Sequence, residues 1–144
     1  MSLICAMFPL LAACSGPPDA VRGYESPHII ENNRGGYLND AIAERRRLAA
    51  WGGAVEIRGV CNSACVMFTT LPNACLSPDL QLGFHRSSSP IGAFVGNAQL
   101  SQFFRGGVKR MFDDVWSKLP DGEFATISAQ EYVQLDPQSR ICGS

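Results

Sequence analysis

Gly59-Val60-Cys61-Asn62-Ser63-Ala64-Cys65, followed after Cys75-Leu76-Ser77-Pro78-Asp79 by Leu80-Gln81-Leu82-Gly83-Phe84-His85, is the stretch on which the reading of this chain turns. Beyond Ser63 the run Ala64 to Leu71 is almost wholly apolar and is closed by Pro72, so it reads as a short buried helix. In the later segment Leu80, Leu82 and Phe84 alternate with Gln81, Gly83 and His85, which assigns a strand with His85 off the apolar face. A turn into a helix and then a strand form a βαβ-like step, and such a step brings Ser63 and His85 to one end of a sheet. A hydroxyl is a poor nucleophile until a base takes its proton, and imidazole titrates near neutral pH, so the two residue types together have chemical meaning.

The same reading extends outward. His28-Ile29-Ile30-Glu31 is a short strand candidate, stopped by the turn-forming cluster Asn32-Asn33-Arg34-Gly35-Gly36. Leu38, Ala41, Ile42, Arg45, Leu48 and Ala49 recur at helical spacing, and Gly52-Gly53 supply a left-handed stop. Ala54 to Arg58 alternates as a strand, and Ser87 to Gly92 is a loop. Val108, Met111, Phe112, Val115 and Leu119 mark an amphipathic helix ended by Pro120, and Ser128-Ala129-Gln130-Glu131 carries a capping-box pattern that opens a last helix to Leu135. Strands alternating with helices give an α/β layered fold with mainly parallel pairing over residues 28–144. Trp51, Phe68, Phe103, Phe104, Phe112 and Trp116 are expected in the packing of that fold.

A chain of 144 residues with 46% hydrophobic and 17% charged residues suits one globular domain, and its net charge of −1 provides no basic field to hold nucleic acid. The basic run Arg45-Arg46-Arg47 follows Glu44 and reads as a solvated helix face. No phosphate loop is visible, and no cofactor or metal is expected.

Leu3 to Ala13 is apolar and meets Cys14-Ser15-Gly16, and Leu11-Ala12-Ala13-Cys14 resembles a bacterial lipobox. That resemblance implies a signal peptide over residues 1–13, lipidation of Cys14, a membrane reached through the lipid, and residence in the periplasm or cell envelope. The stretch is shorter than the roughly 20 residues a bilayer-spanning helix needs. No Lys or Arg precedes Arg22, a departure from the positive opening of export signals. Residues 14–27, with Gly16-Pro17-Pro18-Asp19 and Gly23, read as a tether.

Removal of the signal and acylation of Cys14 would leave Cys61, Cys65, Cys75 and Cys142, which in an oxidising compartment form two disulfides. Cys61 and Cys65 stand one helical turn apart on a helix expected to begin near Asn62. Such a pair is expected to reach different partners, which favours Cys65 with Cys75 and Cys61 with Cys142.

At the start of the helix after Ser63 the N–H of Ala64 lacks an intrahelical partner, and the helix dipole adds positive potential there. Gly35 and Gly36 allow backbone to approach a substrate closely. In this arrangement, Asn33-Arg34-Gly35-Gly36-Tyr37, Cys61-Asn62-Ser63-Ala64-Cys65 and Cys75 to His85 resemble, in order and spacing, three blocks of the Clp protease proteolytic subunit and crotonase-like superfamily. The likeness covers about residues 28 to 136, with the family's opening strand and helix lacking, and it has Arg34 where a proline is usual. It implies a serine peptidase in which Ser63 attacks, His85 is the base, and Gly36 and Ala64 form the oxyanion hole. Phe124-Ala125-Thr126-Ile127-Ser128-Ala129-Gln130-Glu131-Tyr132 resembles the family's segment at its catalytic aspartate, with Phe124 at the aligning position, so the neighbouring Asp121, or Glu123, is the carboxylate expected to orient the histidine. Trimer-based self-assembly and a peptide or protein substrate are also implied. Two rival readings stand beside it. One is a zinc site from Cys61, Cys65, Cys75 and His85. The other is a non-catalytic envelope lipoprotein of the same fold that binds a peptide or protein partner, with Ser63 only starting its helix.

Overall fold

The computed structural model describes residues 24–144. The signal-peptide and lipidation readings at residues 1–13 and Cys14, and the tether as far as Gly23, lie outside the described residues. The described chain is a mixed α/β fold with a mostly parallel open sheet.

β1 (His28–Asn33) enters the sheet, α1 (Leu38–Trp51) crosses over, and β2 (Val55–Asn62) returns parallel to β1. A helix of 3-10 type, Ser63–Thr70, follows β2 directly. Two short strands then share the far side of β2. β3 (Ala74–Leu76) pairs with Val55 to Ile57, and β4 (Gln81–Phe84) pairs with Val60 to Asn62, both parallel. α2 (Ala93–Ser101) and α3 (Gly106–Asp114) precede β5 (Ala125–Ser128), which lies antiparallel to β4, and α4 (Ala129–Leu135) follows it. Among the described residues no helix is long and apolar enough to cross a membrane.

Alternation along the central strands builds the core. Val55, Ile57 and Cys61 of β2 and Leu82 and Phe84 of β4 are buried, and Leu48 of α1, Val108 and Phe112 of α3 and Tyr132 of α4 close over them. Phe84 stacks on Trp116 with ring centres 4.2 Å apart and meets Phe104 edge-on at 5.7 Å. Four of the six aromatics assigned to packing, Phe68, Phe104, Phe112 and Trp116, are buried, and Trp51 and Phe103 pack against the core from its margin.

Gly52 adopts the left-handed conformation that stops α1, and Ser128 and Glu131 form the capping box of α4. Three expectations required correction. The helix after Ser63 is wound as a 3-10 helix, with the Thr69 hydroxyl donating to the Val66 carbonyl at 2.7 Å and the Leu71 N–H to the Phe68 carbonyl at 3.1 Å. Arg45 is not a solvated residue. It donates to the carbonyls of Met67 at 3.0 Å and Thr70 at 3.2 Å, so a guanidinium from α1 satisfies the end of that helix, and burial lowers its pKa without discharging it. The amphipathic helix expected to run to Pro120 breaks at Val115, and Met111 and Val115, expected on its apolar face, are exposed. A separate turn, Trp116–Lys118, carries Trp116 inward onto Phe84. β3, α2 and β5 have no counterpart in the sequence reading.

All four cysteines expected to pair are in disulfides, but the partners differ from those expected. Cys61 is bonded to Cys65 and Cys75 to Cys142. The error lay in placing Cys61 on a helix. Cys61 is the penultimate residue of β2, and the chain reverses at Ser63, so Cys61 and Cys65 come to a Cα separation of 5.3 Å. Cys142 reaches Cys75 because the C-terminal segment lies along β3, with the Cys142 N–H donating to the Leu76 carbonyl at 2.8 Å. In the chain-entropy account the sequence separation of 67 in Cys75–Cys142 is worth about 4 kcal/mol, against about 2 kcal/mol for the separation of 4 in Cys61–Cys65. The first is the main covalent stabiliser of the fold.

Candidate active site

The C-terminal ends of β1, β2 and β4 lie side by side because these strands are parallel, with Asn33 opposite Cys61 after a register shift past Glu31 and Asn62 opposite Gly83. Each strand therefore delivers its following residues to the same rim, where ligands bind in open parallel sheets. β1 delivers Arg34, Gly36 and Tyr37, β2 delivers Ser63 and Ala64, and β4 delivers His85. These residues, with Leu38, Ser87, Ser88, Ser89, Pro90, Leu100 and Phe124, line a cleft of about 500 Å³. Clefts of that size accommodate small ligands or a few side chains of a larger one.

Ser63 has φ +56°, and among the described residues only Asn32 is a second non-glycine residue with positive φ. Left-handed backbone costs a serine of order 1–3 kcal/mol, so the neighbours must hold it. From one side the turn after β1 does so. A Cβ added to Gly35 would lie 2.7 Å from the Ser63 Cβ and 2.8 Å from the Asn62 carbonyl oxygen, so glycine backbone packs directly on the bend. The Gly35 N–H donates to Asn33 Oδ1 at 2.8 Å and fixes that turn. Gly36 follows at φ +144° with open space on its Cα, and its backbone lines the cleft. Ala64 is buried at the first turn of the 3-10 helix, where an N–H has no intrahelical acceptor.

His85 stands one residue beyond β4 and is partly exposed. Its ring lies against Phe124, centres 4.5 Å apart. The reason is register: Phe84 pairs with Ala125 across the antiparallel strands, so the next residues outward, His85 and Phe124, meet. Among the described residues no hydrogen bond joins Ser63 Oγ to His85, and no carboxylate accepts one from the imidazole. Asp121 lies farther out, in the turn before β5. Its side chain is 88% exposed and faces Arg86 at 3.7 Å. Glu123 is exposed in the same turn, its N–H donating to the Pro120 carbonyl at 3.1 Å.

A further wall of the cleft is the Ser87–Ser89 loop, which rests on α2. The Ser87 N–H donates to Asn97 Oδ1 at 2.8 Å, while Asn97 Nδ2 donates to the Ser117 carbonyl at 3.1 Å. Beneath the 3-10 helix, the Tyr132 and Thr69 hydroxyls share a hydrogen bond of 2.6 Å, and burial pushes the Tyr132 phenol far above its ordinary range. The helix is thus fixed at its base by Tyr132 and Arg45.

The structure brings together Gly36, Ser63, Ala64 and His85, and it leaves Asp121 outside the cleft that they line. The thiols of Cys61, Cys65 and Cys75, considered above as zinc ligands with His85, are bonded in disulfides. Sequence reasoning missed the serine wall and Leu100. Phe124, which the resemblance aligned with the place of the family's aspartate, lies against His85. No protein-family model matches the sequence, and no curated protein matches it.

Proposed function

We propose that the chain is an exported serine hydrolase acting on peptides, of the Clp-protease or crotonase-like type, with Ser63 as nucleophile and His85 as base. The observation that carries this reading is Ser63 itself: a non-glycine residue in left-handed backbone at a strand-to-helix bend, lining one cleft with a histidine and two backbone N–H sources. Strained backbone held by surrounding structure is characteristic of functional positions.

The chemistry follows from the parts. Ser63 Oγ attacks a carbonyl carbon held in the cleft while its proton passes to the His85 imidazole. The Ala64 and Gly36 N–H groups receive the charge that develops on the carbonyl oxygen. His85 returns the proton to the leaving group, then takes one from the water that cleaves the acyl-enzyme, and Ser63 is restored. With Phe124 rather than a carboxylate beside the imidazole, the centre works as a dyad, slower than a triad but supported by the oxyanion hole.

Export to an oxidising envelope compartment is part of the proposal and is supported by the two disulfides, and an anchor at Cys14 is added to it on the lipobox resemblance alone. Trimer-based assembly follows from the family resemblance. β1 pairs only with β2 among the described residues, so its outer edge is where a further strand or copy would add.

A second reading is a non-catalytic module of the same fold that binds a peptide or protein partner. The lack of a carboxylate on His85 favours it, as does the aromatic side chain of Tyr37, 78% exposed at the cleft. A fluorophosphonate probe separates the two. Phosphonylation of Ser63 in the folded protein, abolished in Ser63→Ala and strongly slowed in His85→Ala, is the expected result. A folded domain that leaves Ser63 unmodified is the binding module.

A further inference from the structure

The Cys61–Cys65 disulfide spans the residue on which the proposed chemistry depends. Ser63 is the middle residue of the five-membered run Cys61-Asn62-Ser63-Ala64-Cys65, and the bond closes that run into a ring. Asn62 at its N-terminal side is extended, φ −113° and ψ 154°, and Ser63 is left-handed at φ +56°. Four residues of extended chain would span about 13 Å. The Cα separation of 5.3 Å exists only because the chain reverses at Ser63, and the covalent bond in turn forbids that reversal to open.

The bond also lies where a support for Ser63 is needed. Cys61 and Cys65 are both buried, with 0% and 1% exposure, while Ser63 between them is partly exposed and lines the cleft. The disulfide forms the covalent base of the bend, and Gly35 backbone packs on the bend directly. The other disulfide has neither property. Cys75–Cys142 ties chain segments 67 residues apart, and neither cysteine adjoins in sequence a residue that lines the cleft, whereas Cys65 follows Ala64 directly.

We propose that Cys61 and Cys65 are positioning residues for the nucleophile: their bond holds Ser63 in its left-handed conformation, so the reactivity of Ser63 depends on it over and above any contribution to stability. The proposal rests on the reading of Ser63 as nucleophile. It divides the disulfides by task, one ordering the reacting serine and the other holding the C-terminal segment to the sheet.

The test compares Cys61→Ala/Cys65→Ala with Cys75→Ala/Cys142→Ala, each in the full domain and each at the same interval below its own melting temperature. The readouts are the maximal rate of phosphonylation by the fluorophosphonate probe and the probe concentration at half that rate. A misplaced nucleophile loses rate without losing probe binding, so the first variant is expected to react about 10–100-fold more slowly with half-saturation unchanged. The second variant is expected to keep the wild-type rate despite its larger loss of stability. A folded Cys61→Ala/Cys65→Ala protein that reacts at the wild-type rate overturns the proposal, and so does an equal loss of rate in both variants.

Should the first variant not fold, the Cys75→Ala/Cys142→Ala protein is treated with dithiothreitol. The remaining disulfide, Cys61–Cys65, takes two electrons and two protons from one dithiol, giving two thiols and the cyclic disulfide of the reagent. Loss of rate with circular dichroism unchanged supports the proposal, and an undiminished rate with both thiols free overturns it. Wild-type protein that never labels at Ser63 is a different failure, that of the hydrolase reading itself.

Discussion

Asn62 and Gly83 face one another across β2 and β4, and the Asn62 side chain covers Gly83 so closely that an added Cβ would fall 2.2 Å from Asn62 Oδ1. That pairing sets the geometry of the cleft. Ser63 is one residue past the paired position on its strand and His85 two residues past on the neighbouring strand, so both emerge at the same edge of the sheet.

Asp121→Asn is expected to leave the phosphonylation rate within about twofold of wild type, because an exposed pair with Arg86 contributes little. An orienting triad carboxylate would instead show a loss of the order of 10⁴-fold. The rate of the single variant, measured at neutral pH, distinguishes these outcomes.

Gly35→Ala is expected to lower stability by roughly 2–4 kcal/mol, since φ is +90° there and the new methyl would meet Ser63 Cβ at 2.7 Å. Gly36→Ala has open space at its Cβ and is expected to cost about half as much, from backbone strain alone. Urea unfolding of the two proteins gives the comparison. The first change should also slow labelling of Ser63 by pushing the bend out of place.

Arg45→Met is expected to cost about 2–4 kcal/mol, because the Met67 and Thr70 carbonyls would lose a charged donor in a partly buried place. Arg45→Lys should recover less than half of that, as an ammonium cannot reproduce the fork of a guanidinium that also lies over the Phe103 ring at 5.1 Å. Denaturant midpoints at constant slope check both.

The Glu131 carboxylate is held below its ordinary value near 4.5 by hydrogen bonds from the Ser128 backbone and then its side chain. A folded-state value below the unfolded one means stability that is present above about pH 4.5 and lost as pH falls through the depressed value. Glu131→Gln is therefore expected to flatten the fall in melting temperature between pH 5 and pH 3 by a small amount, with no other change in the profile. Thermal melts of the two proteins across that range measure it.

The parts of this fold that were legible in the sequence are those whose signals are local. Period and punctuation gave α1 with its stop at Gly52, the apolar strand face of Leu80, Leu82 and Phe84, and the capping box at Ser128. β3 and β5 were not legible, because three or four residues carry too little periodicity to separate a strand from a loop. The break at Val115 was hidden as well: Trp116 leaves the helical spacing to stack on Phe84, a contact that involves a strand some thirty residues earlier.

For the site, the sequence by itself determined the chemistry on offer: a serine at a strand-to-helix bend, a histidine at a strand end, and two glycines after the first strand. It also determined that Cys61, Cys65, Cys75 and Cys142 would be the cysteines to pair. Only the tertiary structure decided which cysteine meets which, that Arg45 turns inward, and that Phe124 rather than Asp121 lies beside His85. The physical reason is common to all three. Each depends on the register between segments far apart in the chain and on the hand of one backbone bend, and neither quantity is encoded in a window of neighbouring residues. A single residue in left-handed conformation, Ser63, redirected Cys65 toward Cys61, and one antiparallel pairing, Phe84 with Ala125, fixed the neighbour of the imidazole.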